Sequence, residues 1–173
     1  MITFNNTDVE LKICVMGSFA VGKTSLVRHF VEEHFDSQYV NTIGATIKQR
    51  CLEWDNKNIL MNIWDMEDGV AVSESSYLWG ANAFLVVCDL ARLQTIPVLW
   101  SMVRQLRLHY PQVPIVAAGN KVDLVSQPRL SLPDDLQPFI DHVVFTSAKT
   151  GENVYRLFSV VVSKILSPIL ASS

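Results

Sequence analysis

No apolar run in this sequence is long enough to cross a bilayer. The longest, such as Ala83–Cys88, fall far short of the about 20 residues a spanning helix needs. No run of lysine or arginine occurs either, and the formal net charge is −3, which argues against a nucleic-acid partner. The N-terminus, MITFNNTDVE, lacks a basic start followed by an apolar stretch, so no secretory leader is expected. Cysteine is scarce and never in CxxC spacing. Cys14, Cys51 and Cys88 are expected to be reduced core thiols in a cytoplasmic protein, not a metal or redox site. Repeats, low-complexity tracts and linkers are also lacking. With 49% hydrophobic and 18% charged residues over 173 positions, the chain suits one domain with a sizeable core.

What is present alternates between two periods. Leu11–Met16 (LKICVM) is a mostly apolar run ending at Gly17, which suits a buried strand. Lys23–Glu33 then carries Leu26, Val27, Phe30 and Val31 at helical spacing. Ala45–Trp54 and Asn58–Trp64 flank the turn-forming cluster Asp55-Asn56-Lys57 and predict an antiparallel hairpin. Ala83–Leu90 and Pro114–Gly119 are continuous apolar runs, typical of strands covered on both faces. Between them, Thr95–His109 predicts a helix with Val98, Met102, Leu106 and Val103 inward. Val143–Thr146 is a last short strand, and Val154–Leu166 a closing helix ended by Pro168. Strands alternating with helices predict a doubly wound α/β sheet that binds ligands at the carboxyl ends of its strands.

Gly17, Gly22, Lys23 and Thr24 match G-x-x-x-x-G-K-[ST], after a strand and opening a helix. The glycines let the backbone curl so that successive N–H groups from Gly17 through Ala20, Val21 and Gly22 to Ser25 face a polyphosphate. Lys23 adds a point charge for the β- and γ-phosphates, and Thr24 a hydroxyl for Mg²⁺. This motif alone does not choose between ATP and GTP.

Two further tetrapeptides choose. Asn120-Lys121-Val122-Asp123 follows the strand Pro114–Gly119 directly. A carboxylate at Asp123 can accept from both N1–H and the exocyclic amine of guanine, a donor pair that adenine lacks. Lys121 can lay its aliphatic stem along the purine. Thr146-Ser147-Ala148-Lys149 ends the last strand and places the Ala148 N–H where guanine O6 would sit. Either tetrapeptide alone is a weak signal. Both, in this order after a phosphate loop, favour GTP and GDP over ATP.

GSFAVGKTS, NKVD and TSAK together resemble the small GTPases of the Ras superfamily, nearest the Rab branch, over roughly residues 9–167. The resemblance implies a three-layer P-loop G-domain within residues 1–173, with a mainly parallel six-stranded sheet and one antiparallel edge strand. It implies GTP or GDP with Mg²⁺ as cofactors. Residues His34-Phe35 through Tyr39 to Thr42-Ile43-Gly44 are similar to the family's first switch. There Phe35 would pack on the guanine, Tyr39 would flank the nucleotide, and Thr42 would close over Mg²⁺ and the γ-phosphate. Lys23 and Thr42 are thus the catalytic candidates, and Thr24, Thr42 and Asp65 the metal set. Ser147, Ala148 and Lys149 would complete the base pocket.

The chain departs from that family in three places. After Asp65 the family has D-T-A-G-Q-E, whereas this chain has Asp65-Met66-Glu67-Asp68-Gly69-Val70. The γ-phosphate-sensing glycine falls on Asp68 and the water-orienting glutamine on Gly69. Gly69 taking the hinge role one residue late remains open, but no glutamine occurs between Gln49 and Gln94. Glu67 and Asp68 read as outward-facing, solvated carboxylates, since one beside the γ-phosphate would be repelled unless Mg²⁺ or Lys23 offset it. Phe19 is the second departure, a bulky residue where a partner's arginine finger would enter. Finger and glutamine together are worth about 10³–10⁵ in rate in the family. The third is a C-terminus, Ser167–Ser173, without cysteine, so no prenyl anchor is expected and membrane contact would come through partners.

Two readings follow. One is a guanine-nucleotide switch with slow hydrolysis, recruiting effectors or regulators through residues 35–47 and 64–80. The other is a pseudo-GTPase, a constitutive interaction module with nucleotide as structural cofactor. An ATP-using P-loop kinase would require Asp123 and Ala148 to be accidents. Of the four tryptophans, Trp64 is assigned to an interface and the others to core or strand-end packing.

Overall fold

The computed structural model describes residues 7–32, 39–42, 44–69, 71–73 and 76–170. The expectations for Phe35, Ile43 and Val70 lie outside them. Among the described residues, seven strands form one sheet: β1 (Val9–Gly17), β2 (Tyr39–Thr42), β3 (Ala45–Trp54), β4 (Lys57–Met66), β5 (Ala83–Asp89), β6 (Ile115–Asn120) and β7 (His142–Phe145). Their order is β2-β3-β4-β1-β5-β6-β7. From β4 to β7 all pairs are parallel, and β3 joins β4 antiparallel, as expected of a small G-domain. The short β2 adds a strand at that edge, paired antiparallel with β3 and so running in the same sense as β4. Gly44, at φ 98°, turns the chain so that Thr42 faces Ala45 and Tyr39 faces Lys48.

The sheet is covered by the helices α1 (Lys23–Glu32), α2 (Thr95–His109) and α3 (Val154–Leu170). The run AFLVVCD in β5 shows why it must be covered twice. Ala83, Leu85 and Val87 point into the core shared with α1 and α3, while Phe84, Val86 and Cys88 point into the core under α2. Each such buried aliphatic side chain contributes about 1.5–3 kcal/mol. Phe30 of α1 and Phe158 of α3 stack with ring centroids 4.0 Å apart, joining the two helices on one face.

Several local expectations are corrected. In α2 the inward face is Leu99, Trp100, Val103 and Leu106; Val98 is 45% exposed and Met102 only half-buried. The stripe is rotated because Thr95 is buried at the helix start, its hydroxyl donating to Arg92 O at 2.8 Å. Helix α3 runs through Pro168 to Leu170, since a proline's fixed φ is helical and its missing N–H forfeits one bond near the end. Cys51 is exposed, whereas Cys14 and Cys88 are buried and burial pushes both thiols up to about 12. Trp79 is 71% exposed, not packed, while Trp100 is in the core. No helix among the described residues is long and apolar enough to cross a membrane.

Candidate functional site

The site forms where β1, β4, β6 and β7 end. After β1 the loop 18–22 bends into α1, and the two glycines are there because nothing larger fits. A Cβ on Gly17 would lie 2.4 Å from Val87 O, and one on Gly22 would lie 2.2 Å from Asn120 Nδ2. Gly22 also sits at φ +100°, and Ala20 at φ 57°. Val21 is buried, whereas Thr24 and Ser25 at the start of α1 are exposed. The loop thus leads straight into a helix N-terminus, the backbone setting in which main-chain N–H groups can face an anion.

Lys23 returns over this loop. Its Nζ donates to Gly17 O at 3.0 Å and Ser18 O at 3.2 Å, and to Asp68 Oδ1 at 2.5 Å. That last contact corrects the expectation of a solvated carboxylate. Asp68 is 40% exposed, yet it faces Lys23, which is 7% exposed. Lys23 is the offsetting charge that brings it in. Glu67 remains exposed, its N–H donating to Gly44 O at 2.9 Å.

Asp65, near the end of β4, accepts from Thr24 Oγ1 at 2.6 Å through Oδ2. It is 6% exposed and its Oδ1 has no hydrogen-bond partner. Burial holds its carboxyl above the usual carboxylate value, against the lowering effects of Thr24, Lys23 and Lys48. A buried, unsatisfied carboxylate oxygen beside a hydroxyl is what a hard cation such as Mg²⁺ would satisfy, directly or through water. The donor set fits. Both groups line a cleft of about 380 Å³ together with Lys23, Lys48, Glu67 and Asp68. The main chain of β2 carries Tyr39 and Thr42 at the sheet edge.

Asn120 ties the phosphate loop to the base loops. Its Nδ2 donates to Val21 O at 2.9 Å, and its Oδ1 accepts from Thr146 Oγ1 at 3.2 Å and from the Ala148 N–H at 3.1 Å. Lys121, at φ 66°, donates to Ala20 O at 3.0 Å and pairs with Asp89 at 2.7 Å. Asp123 is exposed in the short 3-10 turn Val122–Leu124, and Ser147 Oγ donates to its Oδ1 at 2.6 Å. Lys149 is exposed. The residues of NKVD and TSAK thus come together within one hydrogen-bonded unit, although 26 positions separate Asn120 from Thr146.

Two groups escaped the sequence reading. Asp89, 1% exposed at the end of β5, also binds Arg92 Nε at 2.8 Å, and Arg92 Nη2 donates to Phe19 O at 2.7 Å. Burial raises the Asp89 carboxyl, but bonds from Lys121, Arg92 and the Ala91 N–H outweigh it and hold the carboxyl below its ordinary value. An acid closing the apolar run AFLVVCD was the available signal. Lys48, 3% exposed in β3, is the second; its pKa is lowered by burial. Phe19, within the loop, is 73% exposed. Trp64 is half-buried, with Lys12 Nζ 4.0 Å over its ring and Tyr77 beside it.

Residues 12–167 match the sequence profile of the Ras family. The chain belongs to the Ras family. It is a Rab-like small GTPase that binds GTP. The chain is 34% identical to Ras-related protein Rab-22A of Homo sapiens over 165 residues, covering 91% of this chain and 84% of that protein. It is 32% identical to GTP-binding protein ypt5 of Schizosaccharomyces pombe over 169 residues, covering 93% and 80%. Against Ras-related protein Rab-31 of Homo sapiens the identity is 33% over 156 residues, covering 86% and 80%. Ras-family GTPases generally bind GTP or GDP with Mg²⁺ and act through effectors and regulators, and the cleft of this GTPase has the donor chemistry for such ligands.

Proposed function

We propose that this protein, as one G-domain over residues 9–167, holds GTP or GDP with Mg²⁺ and hydrolyses GTP slowly. Main-chain N–H groups from Gly17 through Ala20, Val21 and Gly22 to Ser25 cradle the phosphates, and Lys23 neutralises them. Thr24, Thr42 and Asp65 would hold the metal, which when bound would supply positive charge to offset the phosphates. Asp123 reads the guanine edge, Lys121 and Phe35 cover its faces, and Asn120, Ser147, Ala148 and Lys149 frame it. Tyr39 flanks the nucleotide.

The observation that carries slow hydrolysis is the contact between Lys23 and Asp68 at 2.5 Å. Asp68 keeps a main-chain N–H, as a glycine would, but its carboxylate only accepts hydrogen bonds and adds a negative charge on the lysine that the γ-phosphate would use. Residues 66–69 also offer no carboxamide to orient an attacking water. The bulky, exposed Phe19 of the loop would crowd the space a partner's arginine finger needs to compensate. The experiment is single-turnover hydrolysis of bound GTP, with the nucleotide identified by chromatography. The native protein should retain GTP for hours, and the double change Asp68→Gly with Gly69→Gln should raise the rate about tenfold or more. Rapid turnover by the native protein, or no gain in the double variant, would refute the reading.

A second reading is supported by the same contact. Lys23 has three protein acceptors, Gly17 O, Ser18 O and Asp68 Oδ1, a set that would tie residue 68 to the phosphate loop in either nucleotide state. A constitutive interaction module would show identical hydrogen exchange at residues 35–47 and 64–80 with GDP and with a non-hydrolysable GTP analogue. A nucleotide switch would show a difference.

A further inference from the structure

Resting on the assignment of this cleft to GTP and GDP, we propose that Asp68 is a specificity-determining residue that makes the protein favour GDP over GTP. Its carboxylate stands at Lys23 where a terminal phosphate would.

A lysine ammonium has three N–H donors. Two of those of Lys23 go to Gly17 O and Ser18 O, and the third to Asp68 Oδ1 at 2.5 Å. The carboxylate comes from 45 positions away in the chain, so its arrival reflects tertiary placement and not local geometry. Lys23 is 7% exposed, which leaves the pair less screened than a surface ion pair. A diphosphate needs one donor from Lys23 and the loop N–H groups, and releasing one main-chain carbonyl suffices for it. A triphosphate adds a further anionic group on the same side as Asp68, and must either displace the carboxylate or sit against it.

Total charge does not account for this. Lys48 and Arg28 line the same cleft as Asp65, Glu67 and Asp68, so the cleft is of mixed sign. Direct occupation of the Lys23 donor singles out Asp68. Asp65 is engaged by Thr24 instead, and Glu67 is exposed with no shared donor on Lys23. Like charges about 4 Å apart near a protein surface repel strongly, and solvent screening of the 40% exposed Asp68 reduces that to about tenfold in relative affinity.

The test is equilibrium titration of fluorescently labelled GDP and of a labelled non-hydrolysable GTP analogue, both with Mg²⁺, on the full chain. The native protein should bind GDP more tightly. Asp68→Asn and Asp68→Ala should each raise the affinity for the GTP analogue relative to GDP about tenfold, with circular dichroism confirming the fold. Glu67→Gln, which removes a charge one residue away, should leave the ratio unchanged. Both nucleotides binding with the same ratio in native and Asp68 variants would overturn the proposal while leaving the GTP site intact. An equal shift in Glu67→Gln would also overturn it, in favour of a general charge effect. Binding of neither nucleotide by the native protein would remove the site assignment itself, and the proposal with it.

Discussion

Asn120→Ala probes the joint between the phosphate loop and the base loops. The side chain is 1% exposed and makes three bonds, to Val21 O, Thr146 Oγ1 and the Ala148 N–H. Alanine removes all three. Each costs between about 0.5 and 3 kcal/mol, depending on whether water reaches the group left behind. Thr146 is fully buried but its hydroxyl can rotate, while Ala148 is half-buried and partly accessible to water, so about 3 kcal/mol is the reasonable total. For a chain of this size a loss of that order lowers the melting temperature by about 6–12 °C. Melts must be run at fixed GDP and Mg²⁺, because ligand binding raises the transition by mass action. Affinity should fall in parallel, since Val21 and Ala148 lose their common anchor. Asn120→Asp is the sharper control. It keeps an acceptor for Thr146 and Ala148 but turns a second oxygen toward Val21 O. It should therefore remain destabilised despite its matching shape. A melting shift under about 2 °C in Asn120→Ala, with unchanged GDP affinity, would refute the reasoning.

Two further outcomes follow from the same loops. Gly22→Ala should lower GDP affinity more than about tenfold in a fluorescence titration, because its Cβ would lie 2.2 Å from Asn120 Nδ2 at a φ of +100°. For Asp89 the folded carboxyl lies below its ordinary 3.8, so its ionised form stabilises the fold above that pH and the contribution fades as pH falls through the lower folded value. In urea unfolding, Asp89→Asn should therefore be less stable than native by about 1–2 kcal/mol at neutral pH, with the gap closing below about pH 3.8; a gap independent of pH would refute it.

Much of the fold was legible because the strands that matter are buried on both faces. AFLVVC and PIVAAG are apolar without interruption and LKICVM is broken only by Lys12, and each leads into residues that build the site. The phosphate and base motifs were equally plain, since their chemistry lies in short contiguous stretches. What the sequence hid was long-range or non-periodic. The four residues of β2 become a strand only through pairing with β3, and no local pattern marks them. In α2, the inward stripe at Leu99 and Trp100 is set by Thr95 and the sheet beneath, not by the spacing of Val98 and Met102. The Lys23–Asp68 contact joins residues that only the sheet brings together. Asp68 read as solvated because nothing nearby in the chain offered it a cation.

The hairpin β3–β4 carries a consequence at a distance. Its ladder runs from Ala45 opposite Met66, through Thr46 opposite Asp65, to Trp54 opposite Lys57. The ladder is closed by Asp55 and Asn56, both with positive φ, as a two-residue turn of that type needs. Ten residues of strand place that turn roughly 30 Å from the cleft. Side chains alternate faces along a strand, so sliding β4 by one residue would turn Asp65 to the far side and offer Met66 to Thr24. The choice between a carboxylate and a thioether in the cleft is thus made at the opposite end of the molecule, by two turn residues that touch neither nucleotide nor metal.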